Sequence, residues 1–454
     1  MDQNYMKERP VFPLVLAMSF PMVLSMLVNA LYNIVDSYFV AKISEHAMTA
    51  LSLVYPVQNL TVAVGVGFGI GINAAAAFYL GAGDKAKADS VVSQGMVLNG
   101  IHGIILTFLC IGIMPGFLRL FTEDLQVIED GIAYSGIVFS FSVVLTLGVS
   151  FEKIFQAVGR MQVSMGCMLL GCIANIILDP VLIFGAGPIP AMGVRGAAIA
   201  TGIGQAASLM GYVAVYAVKP LPVRVCFKRD VLKGDAYKRM YRVGIPAALN
   251  IGLPSLLITA LNGILAEFSQ VYVLILGIYY KLQTFIYLTA NGIVQGIRPV
   301  VGFNYGAGRQ DRVRSILKVS LILGAGIMAL GTGLCMAVPE QLMGMFSQNP
   351  LTVTEGAKAL RMISCGFVLS AVSVMISGTF EGMGKGFPSL AISLIRYIAI
   401  IPIAFVLSRF LGAEGVWSGF AVTEMIGAFA SAAMLKGFYK KQRGNGASGT
   451  KGGL

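Results

Sequence analysis

Twelve stretches of this chain are apolar for about 20 residues or more, the length at which an α-helix crosses roughly 30 Å of hydrocarbon. Read from loop signal to loop signal, they fall at roughly 11–40, 46–80, 91–115, 130–158, 162–186, 194–217, 240–265, 270–305, 316–338, 356–382, 388–411 and 415–436. A soluble core cannot absorb that many such runs. Only 12% of the residues are charged and 56% are hydrophobic, whereas soluble domains carry about 25% charge. A membrane β-barrel would show short alternating segments instead of continuous runs. The sequence therefore predicts an all-α integral membrane protein with twelve transmembrane helices. The first run is read as a span and not as a cleavable signal.

Charge sets the orientation. The formal net charge is +12, which in a soluble chain would suggest nucleic acid. Here, with the N-terminus placed inside and residues near a span end counted with the adjoining loop, 23 of the 33 Lys and Arg residues fall on the inner side, 6 on the outer side and 4 deeper within spans. Glu123, Asp124, Glu129 and Asp130 make one outer loop acidic. This is the positive-inside pattern, so both termini are expected to be cytoplasmic, and the basic excess reads as topology and contact with anionic lipid.

The sequence also repeats itself at one constant offset. Pro21 lies over Pro246, Gln58 over Gln283, Gly71 over Gly296, "GAGDKAKAD" from Gly81 over "GAGRQDRVR" from Gly306, and "GR" at 159 over "GK" at 384. After a three-residue shift, Pro180 meets Pro402 and Thr201 meets Thr423. Each half holds six spans, so both enter the membrane in the same sense, as in transporters built from parallel repeats. The expected organisation is an N-lobe at 1–218, a basic cytoplasmic linker at 219–239, a C-lobe at 240–437 and a disordered tail at 438–454.

A carboxylate inside a span is costly and by default functional. Asp36 lies a few residues below the outer end of the first span, Asp179 about seven residues from the outer end of the fifth, and Thr201 about seven residues into the sixth. At about 1.5 Å per residue all three fall roughly 10 Å below the outer surface. Asn175 is one turn before Asp179 on the same helix face, and Tyr32 is one turn before Asp36. Pro180 lacks an N–H and so frees the carbonyl of Ile176. Carboxylates, an amide, a hydroxyl and free carbonyls are oxygen ligands that Na⁺ accepts, and two neighbouring acids can instead hold a proton. Asp36, Asn175, Asp179 and Thr201 are thus the candidate coupling-cation site, while Tyr32, Gln58 and Gln283 are candidate cavity-lining residues. The repeat partner of Asp36 is Leu261, so the acids belong to the first half.

A second charged group comprises Glu152, Lys153, Arg298 and Arg396. Ion pairing is the structural reading; Glu152 is also a candidate second proton or substrate site. Lys281 and Glu424 have no readable partner, and Glu381 is expected at the interface. The six cysteines form no CxxC pair and His46 and His102 are isolated, so no disulfide framework or metal cluster is expected. The glycines of "GVGFGIGIN" from Gly65 follow no strand and lead to no GK[ST], so they read as helix packing rather than a phosphate loop. No catalytic constellation or organic cofactor is expected.

Twelve spans in two repeats, "NIVDSYFV" in span one, "NIILDPVLIFG" from Asn175 and "GIRPVVGFNYGAGR" closing span eight resemble the multidrug and toxic compound extrusion (MATE) family. The resemblance implies a secondary antiporter of the cell membrane that exports cationic or amphipathic compounds against Na⁺ or H⁺ by alternating access. It implies a cation site at Asp36, Asn175, Asp179 and Thr201, and an acid in span four at Glu152 followed by "QAVGR". Family members that place their acids in spans seven and ten are not matched here, where those spans offer Ser255, Asn262, the peripheral Glu267 and Glu381. The expected partners are small organic cations and membrane lipids, with no nucleic acid, acting on a monomer. The alternative is a flippase for lipid-linked or polysaccharide precursors, which a positively charged cavity would favour.

Overall fold

The computed structural model describes residues 5–228 and 235–448, with side chains as far as residue 442. Positions 229–234 of the expected linker and 449–454 of the expected tail lie outside the described residues. Among those described, sixteen helices follow one another: α1 (Tyr5–Glu8), α2 (Val11–Ala41), α3 (Glu45–Gly81), α4 (Lys85–Phe121), α5 (Leu125–Ser140), α6 (Ser142–Ala157), α7 (Met161–Phe184), α8 (Val194–Val218), α9 (Ala236–Ala266), α10 (Gln270–Gly306), α11 (Gln310–Ala337), α12 (Pro339–Gly344), α13 (Pro350–Ser364), α14 (Phe367–Gly382), α15 (Gly386–Leu411) and α16 (Ala413–Ser448). Polar residues start them where the apolar runs begin: Ser44 accepts from the Ala47 amide at 3.0 Å and Asp84 from the Lys87 amide at 3.0 Å.

Among the described residues ten helices are long and apolar enough to cross a membrane, and α5–α6 and α13–α14 add one span each as pairs bent by 44° and 50°. Twelve spans match the sequence reading, but spans four and ten are broken where it expected continuous helices. Neither break contains proline. At the first, the Phe139 carbonyl is taken up by the hydroxyls of Thr107, at 2.9 Å, and Ser142, at 2.7 Å. At the second, the Ser364 carbonyl accepts from Thr332 at 2.9 Å. Hydroxyls that capture a backbone carbonyl let a helix bend in lipid without leaving it unpaired. Thr332 and Ser364 are the repeat counterparts of Thr107 and Phe139, at the same offset that carries Pro21 to Pro246, so the repeat extends to its bends.

That offset relates backbone conformations as well. Gly83 and Gly308 have φ of 77° and 73°, and Gly159 and Gly384 have 79° and 76°, all in the left-handed region that a side chain disfavours. It also relates contacts: Gly81 lies against the carbonyl of Phe303 and Gly306 against that of Phe78, its counterpart. Each glycine lets the facing backbone approach where a Cβ would collide.

By contacts the chain forms two compact units. The first takes Met1–Gly252, Gln295–Val313 and Glu381–Gly386; the second takes Leu253–Val294, Arg314–Phe380 and Phe387–Leu454. The first unit therefore includes short segments from the second repeat. Buried clusters hold it together, two of them large. One centres on Ile72, Val91, Ile154, Phe155 and Tyr212, the other on Val54, Leu106, Met114, Tyr134, Phe139 and Ile183.

The described part of the linker is pinned down rather than free. Leu221 and Val223 are buried, and the amides of Arg224 and Cys226 donate to Asp89, at 2.7 Å, and Ser93, at 2.9 Å. At the other end, α16 continues helically to Ser448 through residues expected to be disordered.

Candidate ion-coupling site

The one-turn spacings read from the sequence hold. On α7, the Asn175 side-chain amide donates to Asp179 Oδ1 at 3.3 Å, and both residues are buried. Helix α2 packs on α7 and brings Asp36 within side-chain hydrogen-bond reach of Asp179. Asp36 Oδ1, Asn175 Oδ1 and Asp179 Oδ2 are all buried without a donor among the described residues. Tyr32 stands close enough to feel the charges of Asp36 and Asp179.

Thr201 is buried on α8, and Gly204 of that helix packs on Asn175, where a Cβ would meet the asparagine Cβ at 3.1 Å. The contact brings α8 to the site; the polar cluster itself is formed by Asp36, Asn175 and Asp179. Tyr134 of α5 also faces Asp36, Tyr32 and Asp179, and its hydroxyl bonds to Gln58. Sequence reasoning missed Tyr134, although it lies on a face of α5 where Ile128, Gly131 and Val138 are also buried, which was a usable signal.

Two adjacent carboxylates at an effective dielectric near 20 repel by about 4 kcal/mol at ~4 Å. No basic side chain pairs with either acid among the described residues, where the ion pairs are formed by other groups. A proton or a metal cation is what relieves the repulsion, and the three unpartnered oxygens are hard donors that fit Na⁺. Among the described residues no group of three or more His, Cys, Asp or Glu side chains gathers as a transition-metal site would require.

The second charged group forms ion pairs. Lys153 Nζ donates to Glu152 Oε1 at 2.7 Å, to Gln156 at 3.2 Å and to Gln295 at 3.1 Å, and Gln156 donates to the same Glu152 oxygen at 2.7 Å. Arg298 pairs with Glu381 at 2.7 Å. Glu381 is buried, not interfacial as expected, because the guanidinium offsets the cost of burying its charge. Arg396 grips Glu424 with two bonds, of 2.9 and 2.6 Å, supplying the partner that the sequence did not reveal. Lys281 is exposed and lies over the Phe346 ring at 6.0 Å. Gln283, the repeat partner of Gln58, lines a cavity of about 320 Å³ in the second unit.

The model of the MatE family matches residues 21–181 and again 246–406, so its two matches are displaced by the offset of the internal repeat. Among curated relatives, the multidrug export protein MepA of Staphylococcus haemolyticus is 25% identical over 94% of this chain and 93% of its own. MepA of Staphylococcus aureus is 26% identical over 94% of each. Among solved structures, an outward-facing multidrug resistance MATE family transporter of the MOP superfamily superposes with a TM-score of 0.89 at 23% identity, covering 95% of this chain and 96% of that one.

Proposed function

Because the chain belongs to the MatE family, we propose that it is a secondary antiporter of the plasma membrane, exporting cationic or amphipathic compounds in exchange for Na⁺ or H⁺. The names of its relatives support export of drugs. The observation that carries the coupling site is the meeting of Asp36 and Asp179 beside Asn175, with three buried oxygens that no protein group satisfies.

The mechanism follows from exclusion. A site with two acids and no built-in counter-charge must take up a proton or a metal ion, or else the cation of a cargo molecule. Occupancy shifts a two-state protein only by the difference in affinity between its states. Binding of the coupling ion from outside would favour the arrangement that releases cargo; cargo arriving from inside would favour the reverse. Thr201 and Tyr32 would complete the oxygen shell, while Tyr134 and Gln58 would hold its wall. Both termini would lie in the cytoplasm, and the protein would act as a monomer without catalysing a reaction. A flippase for pyrophosphate-linked lipids is disfavoured, since Asp36 and Asp179 would repel its headgroup.

The test uses purified protein in liposomes with Na⁺ and H⁺ gradients imposed separately and a fluorescent organic cation as cargo. Wild type should move cargo under at least one gradient, and Asp36→Asn should move none while remaining folded. Cargo movement indifferent to both gradients, or undiminished export by Asp36→Asn, would overturn the proposal.

A further inference from the structure

The cavity of about 320 Å³ in the second unit is a site that the antiport reading does not use. Its wall carries the Arg396–Glu424 pair, three tyrosines (Tyr280, Tyr287 and Tyr397) and Gln283. The volume is at the lower end of the range for small-molecule pockets. The counterpart of Asn175 in the repeat is Tyr397 or Ile400, depending on where the three-residue shift falls, and that of Thr201 is Thr423; all three line the cavity. Part of the wall thus stands at helix positions that correspond to the first half's site, while Leu261, the counterpart of Asp36, is not among the wall residues.

The polarity is different. Among the described residues the Asp36–Asp179 site has no base beside its acids; here one acid is matched by one base through two bonds of 2.9 and 2.6 Å. Arg396 also lies over the Tyr397 ring at 5.6 Å. The Tyr287 hydroxyl is used, donating to Ser370 at 2.8 Å, but the Tyr280 hydroxyl is buried with no partner among the described residues. A cavity with a matched ion pair, aromatic walls and an unclaimed hydroxyl has the features of a recognition pocket.

The pair restricts the ligand. A lone cation that took Glu424 would strand the Arg396 guanidinium in a poorly solvated site, and a lone anion on Arg396 would strand Glu424. Breaking one side of a buried pair is strongly unfavourable, whereas replacing both partners at once is not. A molecule carrying an ammonium and a carboxylate satisfies both ends, and its apolar part can stack on the tyrosines.

We propose that this cavity binds zwitterionic aromatic small molecules, with the carboxylate on Arg396 and the ammonium on Glu424. The inference goes beyond the antiport reading and does not depend on it, because every wall residue belongs to the second unit and the coupling acids belong to the first.

Three matched probes test it on the purified full-length protein: Nε-dansyl-lysine (zwitterion), dansylcadaverine (the same molecule without the carboxylate) and 6-(dansylamino)hexanoic acid (without the ammonium). Trp417, the only tryptophan, is buried one turn from the wall residue Phe420, so energy transfer from it to dansyl reports binding. Wild type should bind the zwitterion about ten-fold or more tightly than either singly charged probe. Arg396→Gln should favour the cation and Glu424→Gln the anion. The double variant Arg396→Met/Glu424→Leu leaves no lone charge to impair folding, and it should bind the three probes alike. Equal affinities in wild type, or a zwitterion preference that survives the double change, would overturn the proposal. Asp36→Asn should keep the wild-type ranking even where export is lost. A protein that exports normally but shows no ranking defeats this inference alone.

Discussion

Replacing Lys153 by methionine isolates the energetics of the charged cluster in the first unit. The Lys153 and Glu152 side chains are 3% and 12% exposed and 2.7 Å apart. At an effective dielectric near 20, that separation corresponds to about 6 kcal/mol of attraction, most of which offsets the desolvation of two ions. Lys153→Met leaves the Glu152 carboxylate buried with a single amide donor, Gln156 at 2.7 Å. The expected loss of unfolding free energy is about 3–5 kcal/mol. Glu152→Gln should cost less, about 2–3 kcal/mol, because Lys153 keeps the amide oxygens of Gln156 and Gln295 at 3.2 and 3.1 Å. The double variant removes both charges and should return to within about 1 kcal/mol of wild type. Denaturation of the purified protein in mixed detergent micelles measures all four corners of the cycle. A Lys153→Met protein as stable as wild type, or a double variant as unstable as the worse single, would refute the reasoning. Export by the double variant decides the other role considered for Glu152: if stability recovers and gradient-driven export does not, that carboxylate is a proton or substrate site and not a structural partner.

The repeat supplies two further predictions. Gly81→Ala and Gly306→Ala place a methyl into a facing backbone carbonyl, of Phe303 and Phe78 respectively. Each should destabilise the protein by about 1–3 kcal/mol, read as the shift in its detergent denaturation midpoint, and the two losses should be similar. Thr107→Val and Thr332→Val each remove a hydroxyl that bonds at 2.9 Å to a carbonyl at a helix bend. Each should cost about 1 kcal/mol in the same assay, with Thr107→Val the milder because Ser142 still serves the Phe139 carbonyl.

Features set by one stretch of chain were legible in the sequence. Run length gave the twelve spans, because a helix in lipid must satisfy its own backbone over the full hydrocarbon thickness. The constant offset between the halves gave the repeat, which the paired glycine conformations and paired bends carry into three dimensions. Asn175 and Asp179 meet because residues four apart on a helix are neighbours.

Tertiary structure alone decided what depends on how helices are rotated against each other. Asp36 reaching Asp179, Arg298 pairing with Glu381 and Arg396 pairing with Glu424 join side chains from separate helices. Depth along a span can be counted from sequence; the direction a residue faces is fixed only when packing seats one helix on the next. The bends were hidden for the same reason, since the first hydroxyl holding each freed carbonyl, Thr107 or Thr332, comes from another helix. Sequence thus set which residues lie at which depth, and packing set which of them meet.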